Sequence, residues 1–380
     1  MHDVVVVGGG PAGSRVAACL AVDRDVVVLE EHRESGLPVQ CAGLITDDVI
    51  RMSGVFPDVL GTFYGAEVVF PDGTSVTVTS KEPKAMAVDR YDLDSKMADR
   101  AISLGAEYRF GVKYTGHRTS ESVEISTSDG TITSRSIVGA DGHSSKVAMS
   151  LGDNRPKEYL RGIQADIRRE MDRQDLFRIH LGSDVAPGFF AWEIPCGETT
   201  RVGLCTSWSA GPPIDYLRLL LRRSGYEDRV QELHSGKIPL GGRTVTSGDR
   251  CLLVGDAAGQ VKPVSAGGLY PGLKSADILS SVLSAALDAD DLSARRLSKY
   301  DKRWRSELSD EMNRGYRLRR MFVHMNDDDL NRAGRYASRE DVRQVLDNIE
   351  IDHPSKVVGE LLKHPSTALS AIPLALRCIL

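Results

Sequence analysis

The residues best suited to chemistry in this chain are glycines and acids standing where strands should end. Gly8, Gly10 and Gly13 lie in Gly8-Gly9-Gly10-Pro11-Ala12-Gly13, directly after Val4-Val5-Val6-Val7. That spacing serves a pyrophosphate. Gly8 permits a tight turn, Gly10 lets backbone touch phosphate, and Gly13 lets the next helix lie close to the strand. The pattern predicts a helix over residues 12–20, whose N-terminal amides and dipole favour phosphate charge. A second β-branched run over residues 26–29 ends at Glu30, with Glu31 beside it. One of these two carboxylates is placed to accept ribose hydroxyls, and it would repel a 2'-phosphate, so an unphosphorylated adenosine is expected. This segment alone does not choose between FAD and NAD.

Two later segments make the choice. Ile137-Val138-Gly139-Ala140-Asp141-Gly142 reads as a strand ending at an Asp-Gly turn, with a helix starting near Ser144. Cys251-Leu252-Leu253-Val254-Gly255-Asp256-Ala257-Ala258-Gly259 again delivers an acid at a strand tip, and Ala266-Gly267-Gly268-Leu269 follows. A helix is predicted over residues 273–287, with Leu273, Ala276, Leu279, Val282, Leu283 and Ala286 on one face. Asp256 can bind a ribityl hydroxyl. Gly267 and Gly268 expose amides ahead of a helix N-terminus, which would stabilise charge developing at N1 and C2 of a reduced flavin.

These motifs together resemble the aromatic-hydroxylase superfamily of flavoproteins, over about residues 1–290. The resemblance implies FAD as cofactor. Arg90, in Asp89-Arg90-Tyr91-Asp92-Leu93-Asp94, matches that superfamily's arginine ahead of an Asp-containing helix and is expected to reach the flavin or pyrophosphate. By the same resemblance Ala12, Cys41, Ala42, Val112, Asp141 and Leu269 join the cofactor site. The implied fold is α/β, a Rossmann-like FAD-binding domain with an antiparallel-sheet cap and a helical C-terminal region.

Within the superfamily the chain is most similar to the geranylgeranyl reductases, specifically the archaeal digeranylgeranylglycerophospholipid reductases. Pro38-Val39-Gln40-Cys41-Ala42-Gly43-Leu44 resembles that family's Cys-containing segment beside the flavin, and Gly259 stands where the hydroxylases usually carry His. Pro187-Gly188-Phe189-Phe190-Ala191-Trp192-Glu193-Ile194-Pro195 resembles the family's Pro-x-x-Tyr-x-Trp-x-Phe-Pro lipid-site motif. Here Phe190 replaces Tyr and Ile194 replaces Phe, so no tyrosine hydroxyl is available at 190. Phe190, Trp192 and Pro195 are the expected substrate contacts, and strand alternation should bring Phe190, Trp192 and Ile194 onto one face. Cys41 is the expected catalytic residue. The resemblance implies saturation of isolated alkenes in geranylgeranyl lipid precursors, a proton adding to one carbon and flavin hydride to the other. The donor would be NAD(P)H or a ferredoxin. The alternative is a monooxygenase or halogenase on the same fold, because Phe-x-Trp-x-Ile-Pro also approaches a halogenase motif.

The positioning elements read as discontinuous. The FAD-binding domain is expected from 1–57, 84–157 and 243–290, the cap from 58–83 and 158–242, and a helical, Arg-rich region from 291–380. Pro71-Asp72-Gly73 and Ser128-Asp129-Gly130 are hairpin signals. The chain has 380 residues and a net charge of -5, which gives no reason to expect nucleic acid. Six cysteines without a CxxC pair fit a reducing compartment, and no metal site is expected. No signal peptide or membrane span is read. A cytoplasmic protein is expected, with peripheral membrane contact through the arginines of the tail and the apolar residues 369–380.

Overall fold

The computed structural model describes residues 1–152, 155–347, 350–353 and 356. The apolar end at 369–380, Cys378 and His364-Pro365 lie outside the described residues.

The valine run at the start becomes the strand His2–Val7, central in a sheet where every neighbour close to it is parallel. Val26–Glu30 and Glu107–Phe110 lie on one side, and Gly130–Gly139 and Cys251–Leu253 on the other. Alternation explains why these strands are apolar throughout. Val4, Val6, Val26, Val28, Val138 and Leu252 face the helices Pro11–Leu20, Leu269–Asp288 and Ala294–His324. Val5, Val7, Val27, Leu29, Ile137 and Leu253 face the other way, onto Val147 and the meander Tyr114–Thr119 and Val123–Thr127. Each fully buried Val or Leu contributes about 1.5–3 kcal/mol. The hairpin at 128–130 joins Val123–Thr127 to Gly130–Gly139 in antiparallel pairing.

A second sheet of seven strands runs in the order Val230–Leu240, Glu158–Ile167, Thr199–Ser207, Ala191–Cys196, Leu176–His180, Gly65–Val69, Ser75–Thr79. All its pairings are antiparallel except Leu176–His180 with Gly65–Val69. One face is covered by the helix Pro213–Arg223, against Ala165, Ile167, Ala191, Val202 and Leu204. The strand Val59–Phe63 does not join this cap sheet. It pairs with Ala85–Val88, which also pairs Leu44–Ile45, forming a three-stranded sheet between the two larger ones.

Helices follow from residue 294, as the arginine-rich pattern predicted: Ala294–His324, Asp327–Ala337 and Glu340–Leu346. The first works as a strut. Near its start Tyr300 donates to the Leu253 carbonyl and Trp304 to the Thr246 hydroxyl. Near its end buried Arg319 holds Glu158 bidentately, at 2.6 and 3.1 Å, and donates to the Gly188 carbonyl. One helix therefore touches both large sheets. Among the described residues no helix is long and apolar enough to cross a membrane.

Candidate active site

The three glycine–acid segments converge at the C-terminal ends of the parallel strands. Gly8 has φ of +102°, and a Cβ there would lie 2.4 Å from the Ala140 carbonyl oxygen, so the first turn rests on the second motif. A Cβ on Gly13 would lie 2.0 Å from the Gly8 oxygen, whereas one on Gly10 would meet nothing within 4 Å. The turn thus packs tightly on the protein side and is open on its outer side, as a phosphate-facing loop requires. Ala12 lies against the third motif: a Cβ on Gly255 would be 2.9 Å from the Ala12 Cβ.

Glu30 and Glu31 separate cleanly, since neighbours along an extended chain point to opposite sides. Glu30 is buried, and its carboxylate accepts from the Gly9 amide at 2.8 Å and from the His32 amide at 2.9 Å. Glu31 turns outward and pairs with Lys113 at 2.6 Å, which together with that hydrogen bond lowers its pKa. Val112 sits beside Glu30, donating its amide to the Glu30 carbonyl.

Asp141 is committed internally. Its carboxylate accepts from the Ser145 hydroxyl and from the amides of Lys146 and Val147, at 2.7 and 3.1 Å for the amides, capping the 3-10 turn Val147–Leu151. Burial raises its pKa against those hydrogen bonds. The helix expected near Ser144 is only this short turn. Asp256 is different. Its carboxylate has no hydrogen-bond donor among the described residues; burial pushes its pKa up to about 6, opposed by the charge of Arg90. A Cβ on Gly268 would touch its Oδ1 at 2.9 Å, so the acid lies against the glycine pair. The following helix is Leu269–Asp288, starting four residues before the expected 273. Pro271 falls in its first turn, where proline costs no hydrogen bond.

Arg90 is buried at the start of the helix Arg90–Ser103 and grips Asp94 one turn on, at 2.9 and 2.8 Å. Burial opposes its charge, but Asp94 and the adjacent Cys41 thiol raise its pKa on balance. The charge of Arg90, held on Asp94, is thus felt at the Asp256 carboxylate, near the exposed Cys41.

The aromatic motif lies across from these loops. Trp192 pairs in register with Gly203, and its ring lies over that residue, so a Cβ on Gly203 would be 2.5 Å from it. Its indole N–H donates to Gln164 at 3.2 Å. Phe190 stacks on Phe189 at 4.3 Å and meets Trp192 edge-on at 6.3 Å. Trp192 borders two apolar clusters, one that holds Val261 with Ala266 of the glycine loop at its edge, the other that holds Ile194 with Ala42 and Leu44 at its edge. Along the same sheet face, Cys205 pairs Gly162 and Gly162 pairs Gly236, leaving a hollow without large side chains. Burial pushes the Cys205 thiol up to about 12, and Cys41 is close enough to add to that rise. Pro195 is not part of this face. Alternation turns it with Ala191 and Glu193 to the other side, where Glu193 is held by His180 at 2.7 Å and Tyr226 at 3.3 Å.

Sequence reasoning missed several residues here. Arg201, buried on the cap sheet, donates to the carbonyls of Ala42 and Val88 at 3.0 and 2.9 Å and so clamps the Cys41 loop. Its signal was a lone charge in an otherwise uncharged strand. Lys262, buried in the glycine loop, pairs with buried Asp352 at 2.6 Å and donates to the Ile351 carbonyl. Asp352 also accepts from Thr46, and Ile351 packs in the cluster that holds Trp192. Nothing in the local pattern of residues 350–353 announces that contact.

This arrangement has relatives. The family model described as lycopene cyclase protein matches residues 3–336. The digeranylgeranylglycerophospholipid reductase of Methanothrix thermoacetophila is 30% identical over 374 residues, spanning 90% of this chain and 93% of that protein. The chain belongs to the lycopene cyclase protein family and to the digeranylgeranylglycerophospholipid reductases. The reductase of that name from Methanocaldococcus jannaschii is 29% identical, covering 92% of this chain and 93% of its own. Among solved structures, a geranylgeranyl bacteriochlorophyll reductase-like protein from Thermoplasma acidophilum superposes with a TM-score of 0.86 at 22% identity, over 98% and 99% of the two chains. A halogenase in complex with phloroglucinol and FAD superposes at 0.69 with 14% identity, over 99% and 91%. The chain thus shares its fold with a halogenase whose structure holds FAD.

Proposed function

We propose that the protein is an FAD-dependent reductase that saturates isolated double bonds of geranylgeranyl chains in membrane (phospho)lipid precursors. The observation that carries this reading is the position of Trp192. Its ring covers Gly203 and borders the apolar clusters of the glycine loop and of the Cys41 loop, beside a hollow floored by Gly162, Gly236 and Cys205. A polyprenyl chain needs such a wall, apolar and slim, beside the cofactor.

The protein side fits FAD. Gly10 is open outward, Glu30 is placed for ribose hydroxyls beside Gly9, and Asp256 is a partly buried acceptor without a donor among the described residues. Gly8, Gly10, Ala12 and Gly13 would hold the pyrophosphate, Glu30 and Val112 the adenosine, Asp256 the ribityl chain, and Gly267, Gly268 and Leu269 the isoalloxazine. Glu31, salt-bridged outward, and Asp141, already capping its own turn, would play supporting parts only. Bound and reduced, the flavin supplies a hydride.

The remaining chemistry belongs to side chains. An isolated alkene has no carbonyl to polarise it, so a proton must reach one carbon as hydride reaches the other. Cys41, exposed at the hollow and beside the Arg90 guanidinium, would present a thiol proton there. Phe190, Trp192 and Cys205 would exclude water from the positive carbon. Arg201 would keep the Cys41 loop in register with the cap.

The test is anaerobic. The flavin is reduced with dithionite, digeranylgeranylglyceryl phosphate is added, and flavin absorbance and lipid mass are followed together. Reoxidation coupled to gains of two hydrogens per double bond supports the reading. Rearranged lipid of unchanged mass would point to cyclisation, and reoxidation only on admitting oxygen to a monooxygenase or halogenase; either result overturns it.

A further inference from the structure

The face of the cap sheet opposite the hollow carries charge that the proposed reaction does not use. Along Glu158–Ile167, Tyr159 and Arg161 alternate with Leu160 and Gly162, so they lie on the face that the helix Pro213–Arg223 covers farther along, at Ala165 and Ile167. Arg161 pairs in register with Lys237 of Val230–Leu240, the edge strand of the sheet. Between them stands Trp208, 47% exposed. The Arg161 guanidinium lies 4.1 Å from its ring centre, the Lys237 ammonium 5.2 Å, and the Tyr159 ring meets it edge-on at 6.5 Å.

Neither cation has an acidic partner among the described residues; Arg161 donates only to the Gly211 carbonyl, at 3.3 Å. Several cations elsewhere on the molecule are paired, among them Lys96 with Asp92, Arg109 with Glu107, Lys113 with Glu31 and Arg173 with Asp175. Two uncompensated cations gathered on one exposed indole make a local excess of positive charge that an anion relieves. The indole adds an amphipathic ring of the kind that settles at the headgroup level of a bilayer.

We infer that Trp208, Arg161 and Lys237 form the contact through which the protein rests on an anionic bilayer surface. The inference rests on the reading that the substrate is a membrane lipid. The topology then makes sense of the placement. Lys237 lies on one face of the edge strand, while a Cβ on its neighbour Gly236 would point the other way and lie 3.8 Å from atoms of the exposed Gln40 beside Cys41. A prenyl chain leaving the bilayer at Trp208 has only the edge of one strand to pass before it reaches the hollow. An acidic protein would need the charges but not the half-exposed indole.

The test uses the flavin-loaded full-length protein in flotation with phosphatidylglycerol–phosphatidylcholine vesicles and with pure phosphatidylcholine vesicles. Wild type should float with the anionic vesicles, weakly with the neutral ones, and less at high salt. Trp208→Ala, Arg161→Gln and Lys237→Gln should each lower the partition coefficient, by about fivefold for each charge removed. Flavin content and melting temperature should be unchanged. The variants should also lose reduction of vesicle-embedded lipid while keeping it on detergent-dispersed lipid. Variants that float like wild type overturn the inference. So do variants that float normally but accept electrons more slowly from an acidic protein donor, since the patch would then be a protein dock. If wild type reduces no lipid even in detergent, yet the variants still lose vesicle binding, the function proposed above fails and the membrane contact stands.

Discussion

Asp256 offers the sharpest check on the cofactor site, because its partly buried carboxylate lies beside the glycine pair with no donor among the described residues. Burial lifts its pKa from 3.8 to about 6. A flavin hydroxyl donating to it would stabilise the charged form and return the pKa toward the ordinary carboxylate range near ~4. Above pH ~6 the free and bound protein then carry the same ionised Asp256, and affinity is flat with pH. Below that, the free protein is protonated and must release a proton to bind. Affinity should therefore fall by up to about tenfold per pH unit, near ~100-fold in all across two units, or about 2.7 kcal/mol. Asp256→Asn should bind FAD more weakly at pH 7 and show no such slope. The flavin-free protein behaves in the opposite sense. A pKa raised above its unfolded value means that ionised Asp256 costs stability at neutral pH, by about 3 kcal/mol at most, and the cost fades as pH falls from 6 toward 4. Flavin-free Asp256→Asn should accordingly melt higher than flavin-free wild type at pH 7. The assays are flavin fluorescence titrations between pH 4.5 and 8 and thermal melts with and without flavin. Parallel slopes for wild type and Asp256→Asn would refute the reasoning, since Asp256 would then not be the group that meets the flavin.

Other residues give independent checks. Gly10→Ala adds a Cβ that touches no protein atom, so the fold should melt normally while FAD affinity, measured by titration, drops at least about tenfold through lost phosphate contacts. Cys41→Ala should keep flavin and stability, since the side chain is exposed, while the single-turnover rate of lipid reduction falls by about 100-fold. Arg201→Met strips the buried carbonyls of Ala42 and Val88 of a donor and should cost about 1–3 kcal/mol in urea unfolding. Lys262→Met leaves the Asp352 carboxylate buried and unpaired, a loss of about 3–5 kcal/mol, which Lys262→Met with Asp352→Asn should largely restore.

The features readable from the residues alone are those that short-range physics decides. β-branched runs with both faces apolar specify buried parallel strands, so Val4–Val7 and residues 26–29 were legible. Gly8 and Gly13 are required by contacts with residues near them in the chain or in the adjoining strand. The turn signals at 71–73 and 128–130 act over a few residues, and both hairpins formed. Only tertiary structure could decide the rest. Whether Glu30 or Glu31 faces the glycines depends on which side of the sheet each carboxylate emerges. Trp192 and the Cys41 loop are separated by 150 residues of chain, and their placement at one apolar cluster depends on the cap sheet's register and on the Arg201 clamp across it. The place of Pro195 away from Trp192 follows from alternation once the strand is fixed. The contact of Ile351 and Asp352 with Thr46 and Lys262 joins segments about 90 and 300 residues apart, as in 352 against 262 and 352 against 46. Such contacts are chosen by the packing of finished elements, where burial and charge pairing act across the whole chain and leave little trace in any local window.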